Sequence, residues 1–254
     1  MKKFLSVTLS LLLAASMPLS ALAEIYDLAQ GSITVEAKAD GNQYVSQTGG
    51  VQQEQQTTET VIHQTDSSTT STANTITIQA GDGTTANVTI KDANIKTDEA
   101  AIKTEGKGNV NLNVEGTNNV TGSFRHAGVE KSNEGNLTIG SESGEGELTA
   151  NGGHGGAGIG GGYEGSGSDV TISKDSRVEA ISRDPSAFGG YGAAIGGGGY
   201  NTDTGNQVDG SEIEPDTSGL YTTGKVARKR GDGTVLDTII GKVEPPVEPE
   251  KSAT

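Results

Sequence analysis

The sequence predicts an all-β fold, a right-handed parallel β-helix (a solenoid) with three short strands per coil. The first observation behind it is a returning phrase. Gly156-Ala157-Gly158-Ile159-Gly160-Gly161-Gly162 comes back as Gly192-Ala193-Ala194-Ile195-Gly196-Gly197-Gly198, and fainter copies stand at Ala100-Ala101-Ile102 and Ala127-Gly128-Val129. The second is a recurring β-branched run: Asn87-Val88-Thr89-Ile90, Asn109-Val110-Asn111-Leu112, Asn136-Leu137-Thr138-Ile139 and Asp169-Val170-Thr171-Ile172. Its starts are 22, 27 and 33 residues apart (109−87, 136−109, 169−136). A self-similar period in this range marks a stacked repeat. The third is alternation. With 39 glycines and 31% hydrophobic residues the composition is that of many disordered chains. Here, however, the apolar residues recur as alternating triplets, as strands require.

The elements follow in chain order. Lys2 and Lys3, the apolar run Phe4 to Ala15 and Ala21-Leu22-Ala23 have the three-part form of a signal peptide over residues 1–23, so the mature chain is expected to begin at Glu24. The apolar run is too short to span a bilayer, and no membrane insertion is expected after its removal. Residues 24–86 read as an N-terminal cap with irregular coils. They include a strand over Ser32 to Ala37, one at Thr60 to Gln64 inside a Gln/Thr/Ser-rich stretch, and one over Thr75 to Ala80. Residues 87–205 read as regular coils. Each has an Asn- or Asp-led strand, then a second apolar pair (Val114; Leu148-Thr149-Ala150; Val178-Glu179-Ala180), then a Gly-rich bend into Ile102, Val129, Ile159 or Ile195. Glycine supplies the tight corners, and Asn87, Asn109 and Asn136 are placed to stack as an amide ladder. Residues 206–243 read as a C-terminal cap with a hairpin around Gly231-Asp232-Gly233, and 244–254 as an acidic, Pro-rich tail.

Charge narrows the partners. The formal net charge is −15, and losing Lys2 and Lys3 takes it to −17. Such a surface repels nucleic acid and attracts cations. The basic run Lys225 to Arg230 reads as a solvated strand face. Cysteine is absent, so burial and hydrogen bonding must hold the exported chain together.

Asp27-Leu28-Ala29-Gln30-Gly31-Ser32-Ile33-Thr34-Val35, the Asn-x-Thr-Ile strands and the Gly-Ala-Gly-Ile-Gly-Gly-Gly bends resemble secreted Gly-rich repeat proteins of Firmicutes. These in turn are similar to the carbohydrate-binding β-helix family of the pectate-lyase-like superfamily. The resemblance covers roughly Ile25 to Tyr200. It implies a secreted or cell-surface protein with polysaccharide or host glycan as partner, and leaves activity open.

Motifs that carry chemistry are few. Gly156-Ala157-Gly158-Ile159-Gly160-Gly161 satisfies G-x-G-x-x-G, but the following Tyr163-Glu164-Gly165-Ser166 cannot form the helix that pattern needs, so a solenoid corner is expected. Calcium is the one cofactor the acidic surface suggests. Its candidate ligands are Asp169, Asp82 and Asp232, each of which also reads as a turn or strand-start residue. His63, His126 and His154 share no zinc spacing. Arg177 and Glu179 on one strand face, near Asp175, Arg183 and Asp184, read as a surface ion pair rather than a lyase centre. For glycan, the candidates are Tyr163, Tyr191 and Tyr200 beside the Gly-rich bends, with Arg125 and His126 placed to meet an acidic sugar. The expected function is therefore an exported, non-catalytic, carbohydrate-binding or adhesin-like protein. A polysaccharide lyase or hydrolase and a structural spacer for protein contacts are the alternatives.

Overall fold

A computed structural model of the chain describes residues 24–49, 56–142, 144, 146–183, 190–202 and 205–246. Residues 1–23, where a signal peptide is expected, Asp184, and the residues beyond Pro246 lie outside the described residues. The fold is all-β, and most of its strands pair in parallel. Among the described residues the strands form two six-stranded sheets, an eight-stranded sheet and a two-stranded ribbon. No helix among these residues is long and apolar enough to cross a membrane.

The first sheet holds Glu24–Asp27, Thr60–His63, Thr85–Lys91, Asn109–Glu115, Leu137–Gly140 and Val170–Ile172, in that spatial order and all parallel. The second holds Asn94–Lys96, Thr117–Thr121, Glu147–Asn151, Arg177–Ser182 and Lys225–Arg230, closed by the antiparallel Val235–Ile240. The third runs Ile33–Ala37, Ile76–Ala80, Ile102–Gly106, Val129–Lys131, Ile159–Gly160, Ile195–Gly196. Antiparallel Gln43–Gln47 and Gln56–Thr57 cover its N-terminal edge. From Thr85 to Gly196 the chain visits first, second and third sheet in turn, four times over.

Parallel register stacks like on like. Ile33, Ile76, Ile102, Val129, Ile159 and Ile195 form one column of cross-strand partners, all at most 1% exposed. Leu112, Ile139 and Ile172 form another on the first sheet, and Ile95, Val120 and Ala150 a third on the second. These columns meet in a single buried cluster. Each fully buried aliphatic side chain contributes about 1.5–3 kcal/mol.

Three expectations are corrected by the register. Thr85 pairs with Asn109, so the first step is 24 residues (109−85), not 22. A slip of two leaves the inward face unchanged and is therefore invisible to alternation. The amide ladder divides accordingly. Asn111 Nδ2 donates to Asn87 Oδ1 at 2.9 Å, while Asn136 N donates to Asn109 Oδ1 at 2.9 Å. Finally, Val114 belongs to the first-sheet strand. The second-sheet strand of that circuit is Thr117–Thr121, which places Asn118 and Val120 beside Leu148 and Ala150. Asn118 escaped notice because it is polar, yet it is 1% exposed. Both of its donors and its oxygen are engaged: Oδ1 accepts from Ala93 N at 2.9 Å, and Nδ2 donates to Glu115 O and Glu147 O at 2.9 and 3.1 Å.

The corners explain the glycines. After a first third-sheet step of 43 residues (76−33), the register steps from Ile76 on are 26, 27, 30 and 36 residues (102−76, 129−102, 159−129, 195−159), so these later circuits lengthen toward the C-terminus. At Gly156 a Cβ would fall within 3.0 Å of the His126 carbonyl, and at Gly192 within 3.0 Å of the Gly156 carbonyl. Backbone here stacks directly on backbone.

One buried cation stands out. Lys131 in the third sheet is 6% exposed and donates from Nζ to Asn133 O at 2.8 Å. Burial holds its pKa below the ordinary lysine value, opposed only in part by Asp169. Between the lowered folded pKa and the unfolded value of 10.5 the unfolded chain binds more protons, so stability rises with pH in that window. Below it the full penalty of a buried charge remains. Lys131→Met is expected to raise stability at pH 7 by about 1 kcal/mol and to remove that alkaline gain, read from urea melts at pH 7 and pH 10.

Candidate functional site

The outward face of the first sheet is a floor of amides and hydroxyls. Residues alternate along a strand, so the positions between the buried Val88, Leu112 and Ile139 point outward from the core. They are Asn87, Asn111 and Thr138 in one register row and Thr89, Asn113 and Gly140 in the next; Thr89 is itself only 2% exposed, bonded to Glu59 and Asn113. A groove of about 570 Å³ runs across these rows, bounded by Thr58 and Glu59 at one end and by Glu142, Ser173 and Lys174 at the other.

Its floor is hydrogen-bonded from strand to strand. Besides the Asn111–Asn87 bond, Asn113 Nδ2 donates to Thr89 Oγ1 at 3.1 Å, and Thr89 Oγ1 donates to Glu59 Oε1 at 3.2 Å. Asn113 Oδ1 accepts from Glu142 N at 2.8 Å, and Lys174 is ion-paired with Glu142. An amide offers two N–H donors and two lone pairs, and the ladder uses only part of each set. Glu59 and Glu142, the carboxylates bounding the groove, flank strands three steps apart, about 14 Å at the usual strand spacing.

The groove went unread in the sequence because its residues come from circuits more than twenty residues apart. The signal was nonetheless present. The outward positions of Asn87-Val88-Thr89, Asn111-Leu112-Asn113 and Thr138-Ile139-Gly140 are uncharged in a chain that is 20% charged.

The residues singled out from sequence lie elsewhere: Arg125, His126 and Tyr191 between second- and third-sheet strands, Asp82, Tyr163 and Asp169 between third- and first-sheet strands, Arg177 and Glu179 on the second sheet, and Tyr200 and Asp232 toward the C-terminal end. Arg125 and Tyr163 are brought together: the guanidinium carbon sits 4.4 Å from the Tyr163 ring centroid and 5.2 Å from that of Phe124. Tyr163 N donates to Arg125 O at 2.8 Å, and Tyr163 Oη accepts from Asn201 N at 3.0 Å. That bond puts Tyr200, paired with Val208 in the two-stranded ribbon, next along the chain. Tyr191 has a different cation, Arg230, 5.1 Å from its ring centroid, and its amide donates to Asp209 Oδ1 at 3.0 Å. His126 points to Glu130, with Nδ1 3.0 Å from Oε2.

Neither the metal candidates nor the lyase candidates converge. Asp82 lies in the exposed turn closed by Thr84 N donating to Gly81 O at 3.1 Å. Asp169, at φ 58°, accepts from Ser168 Oγ at 2.6 Å. Asp232 accepts from Thr234 N at 2.7 Å, and hydrogen bonding by the Thr234 side chain and then this backbone amide holds its carboxyl below the usual range. Among the described residues no three His, Asp or Glu side chains gather as a metal site. Arg177 and Glu179 do face outward together, but each pairs across strands: Arg177 with Glu147 at 3.6 Å, Glu179 with Lys229 at 2.6 Å. Exposed pairs of this kind are worth about 0–1 kcal/mol.

No family model, no curated protein and no solved structure matches this chain.

Proposed function

We propose that the chain is an exported, right-handed, three-sided parallel β-helix that binds glycan without cleaving it. Three parallel sheets visited in rotation support the solenoid, and parallel crossovers within a sheet are right-handed in about 98% of cases. The charged and apolar opening with its small-residue site supports export.

The observation that carries the binding reading is the groove on the first sheet. A sugar chain presents hydroxyls that both donate and accept, and a row of Asn and Thr side chains answers both roles. Three strands at about 4.8 Å give a floor some 10 Å across, enough for about two sugar rings. The Thr89 partner of Glu59 and the Lys174 partner of Glu142 favour retention over hydrolysis.

The test is a panel of neutral plant and mucin oligosaccharides against the full mature chain, with and without calcium. Retention with no new reducing or unsaturated ends is expected. Released sugar would establish an enzyme, and neither result would leave a spacer. In the double variant Asn111→Ala, Asn113→Ala, retention should fall about tenfold, since each lost hydrogen bond is worth roughly 0.5–1.5 kcal/mol. Unchanged retention would remove the groove from the mechanism.

A further inference from the structure

The loop Ser123 to Ala127 carries a second feature, on a different side of the molecule from the groove. Counting back four from the paired Val129 and Ile159 sets Arg125 over Gly155 and Phe124 over His154. Backbone bonds join the two loops: Arg125 N donates to His154 O, and Gly153 N to His126 O, both at 2.9 Å. Gly155 has φ +78°, a conformation natural to glycine. Arg125 takes φ +71° at the equivalent place, where a residue with a side chain is disfavoured by roughly 1–2 kcal/mol. A residue held there against its preference is a reason to look for a use.

The side chain is held for contact. Its guanidinium lies beside Phe124 and Tyr163, and the Tyr163 ring is itself fixed. Its hydroxyl accepts from Asn201 N, and its Cδ2 lies 3.2 Å from where a Cβ on Gly155 would stand, so the bare glycine makes room for the ring. Glu130, 8% exposed, pins the loop from below by accepting from Ala127 N at 3.3 Å and contacting His126. Among the described residues no carboxylate is ion-paired within 4.0 Å of the Arg125 guanidinium, whereas Arg177 pairs with Glu147 and Arg228 with both Glu212 and Asp237. A guanidinium over an aromatic ring keeps its N–H donors in its own plane, ready for a two-oxygen acceptor. Beside it stands Phe124, 45% exposed, with the His154 ring 6.5 Å away.

We infer that this corner binds a terminal acidic sugar, its carboxylate on Arg125 and an N-acetyl methyl group against Phe124. A projecting loop tip meets the end of a glycan, where a groove meets its middle. The carboxylate matches the planar donor fork, and the acetamido methyl matches an exposed ring with little else to cover it. Charge sets the specificity: with a net −15, the rest of the surface repels the same ligand.

The experiment is ligand-observed NMR on the full mature chain with 3′-sialyllactose, its carboxyl methyl ester, lactose and a glucuronide. Sialyllactose is expected to bind, with the ester and lactose at least about tenfold weaker, the usual loss when a charge-assisted bond goes. Arg125→Gly places at this φ the residue found one circuit on, so the variant should melt no lower than the parent while losing sialyllactose. Arg125→Lys keeps the charge and should still lose most of the binding. Neutral-glycan retention by the first-sheet groove should be untouched by either, so the two sites fail separately. Binding of sialyllactose by Arg125→Gly at parental strength, or no binding by the parent, would overturn the assignment. Equal binding of the glucuronide would overturn its acetamido half.

Discussion

Ile195→Asp should lower the melting temperature by about 10–20 °C. Ile195 is fully buried and ends the isoleucine column, paired with Ile159. Losing a buried isoleucine costs about 2–5 kcal/mol, and a carboxyl without a partner in that interior adds more. A total of roughly 5 kcal/mol is comparable with the whole stability of many domains. For a chain of this size each 1 kcal/mol moves the melting point about 2–4 °C. Stacked circuits touch only their neighbours, so the loss should begin at the C-terminal end, with the hairpin of Lys225–Arg230 and Val235–Ile240 melting first. Circular dichroism melts of the variant and of Ile195→Val, expected to cost only about 1 kcal/mol, provide the check. A shift under 2 °C for the aspartate would mean that the column is not the core.

Gly156→Ala is the second large effect, about 3 kcal/mol or 6–12 °C, at the upper end of the overpacking range. The added methyl would overlap the His126 carbonyl and crowd Ala127 N, both backbone atoms that cannot rotate away. Gly156 is not in the left-handed region, so the cost is steric alone. Gly83 provides the contrast, with φ +68° and no atom within 4 Å of an added Cβ. Gly83→Ala should cost only the local backbone penalty of about 1 kcal/mol. Equal melting temperatures for the two variants would mean that the corner backbones are not in close contact.

Much of the interior was legible because burial in a strand imposes alternation. Val88, Leu112, Ile139 and Ile172 each stand at an apolar place in an alternating triplet, and each is at most 1% exposed. Register was less legible. Sliding Asn87-Val88 by two residues against Asn109-Val110 preserves every inward position, so only the paired backbone fixes Asn87 beside Asn111. Strand Gln43–Gln47 was missed for another reason. Its inward Gln43 is polar and 2% exposed, with Nε2 donating to Thr60 Oγ1 at 2.8 Å and Asn87 O at 3.0 Å. A satisfied buried amide looks like a loop residue in one dimension.

The candidate sites divide in the same way. Arg125 and Tyr163 were both noted for their chemistry, but their contact joins residues on successive circuits and depends on the missing Cβ at Gly155. The groove needed three strands side by side before its floor existed. Composition therefore revealed which residues had chemical potential, and register decided which of them met.

The wall where Gly156 lies on His126 and Gly192 lies on Gly156 admits no side chain at those points. Natural variation there has little room to act by exchanging one amino acid for another. It can act by inserting or deleting whole stretches between fixed landmarks, and within this one chain the successive spans of 43, 26, 27, 30 and 36 residues differ in just that way. The circuits of this wall differ in loop length while the paired column beneath them keeps its register.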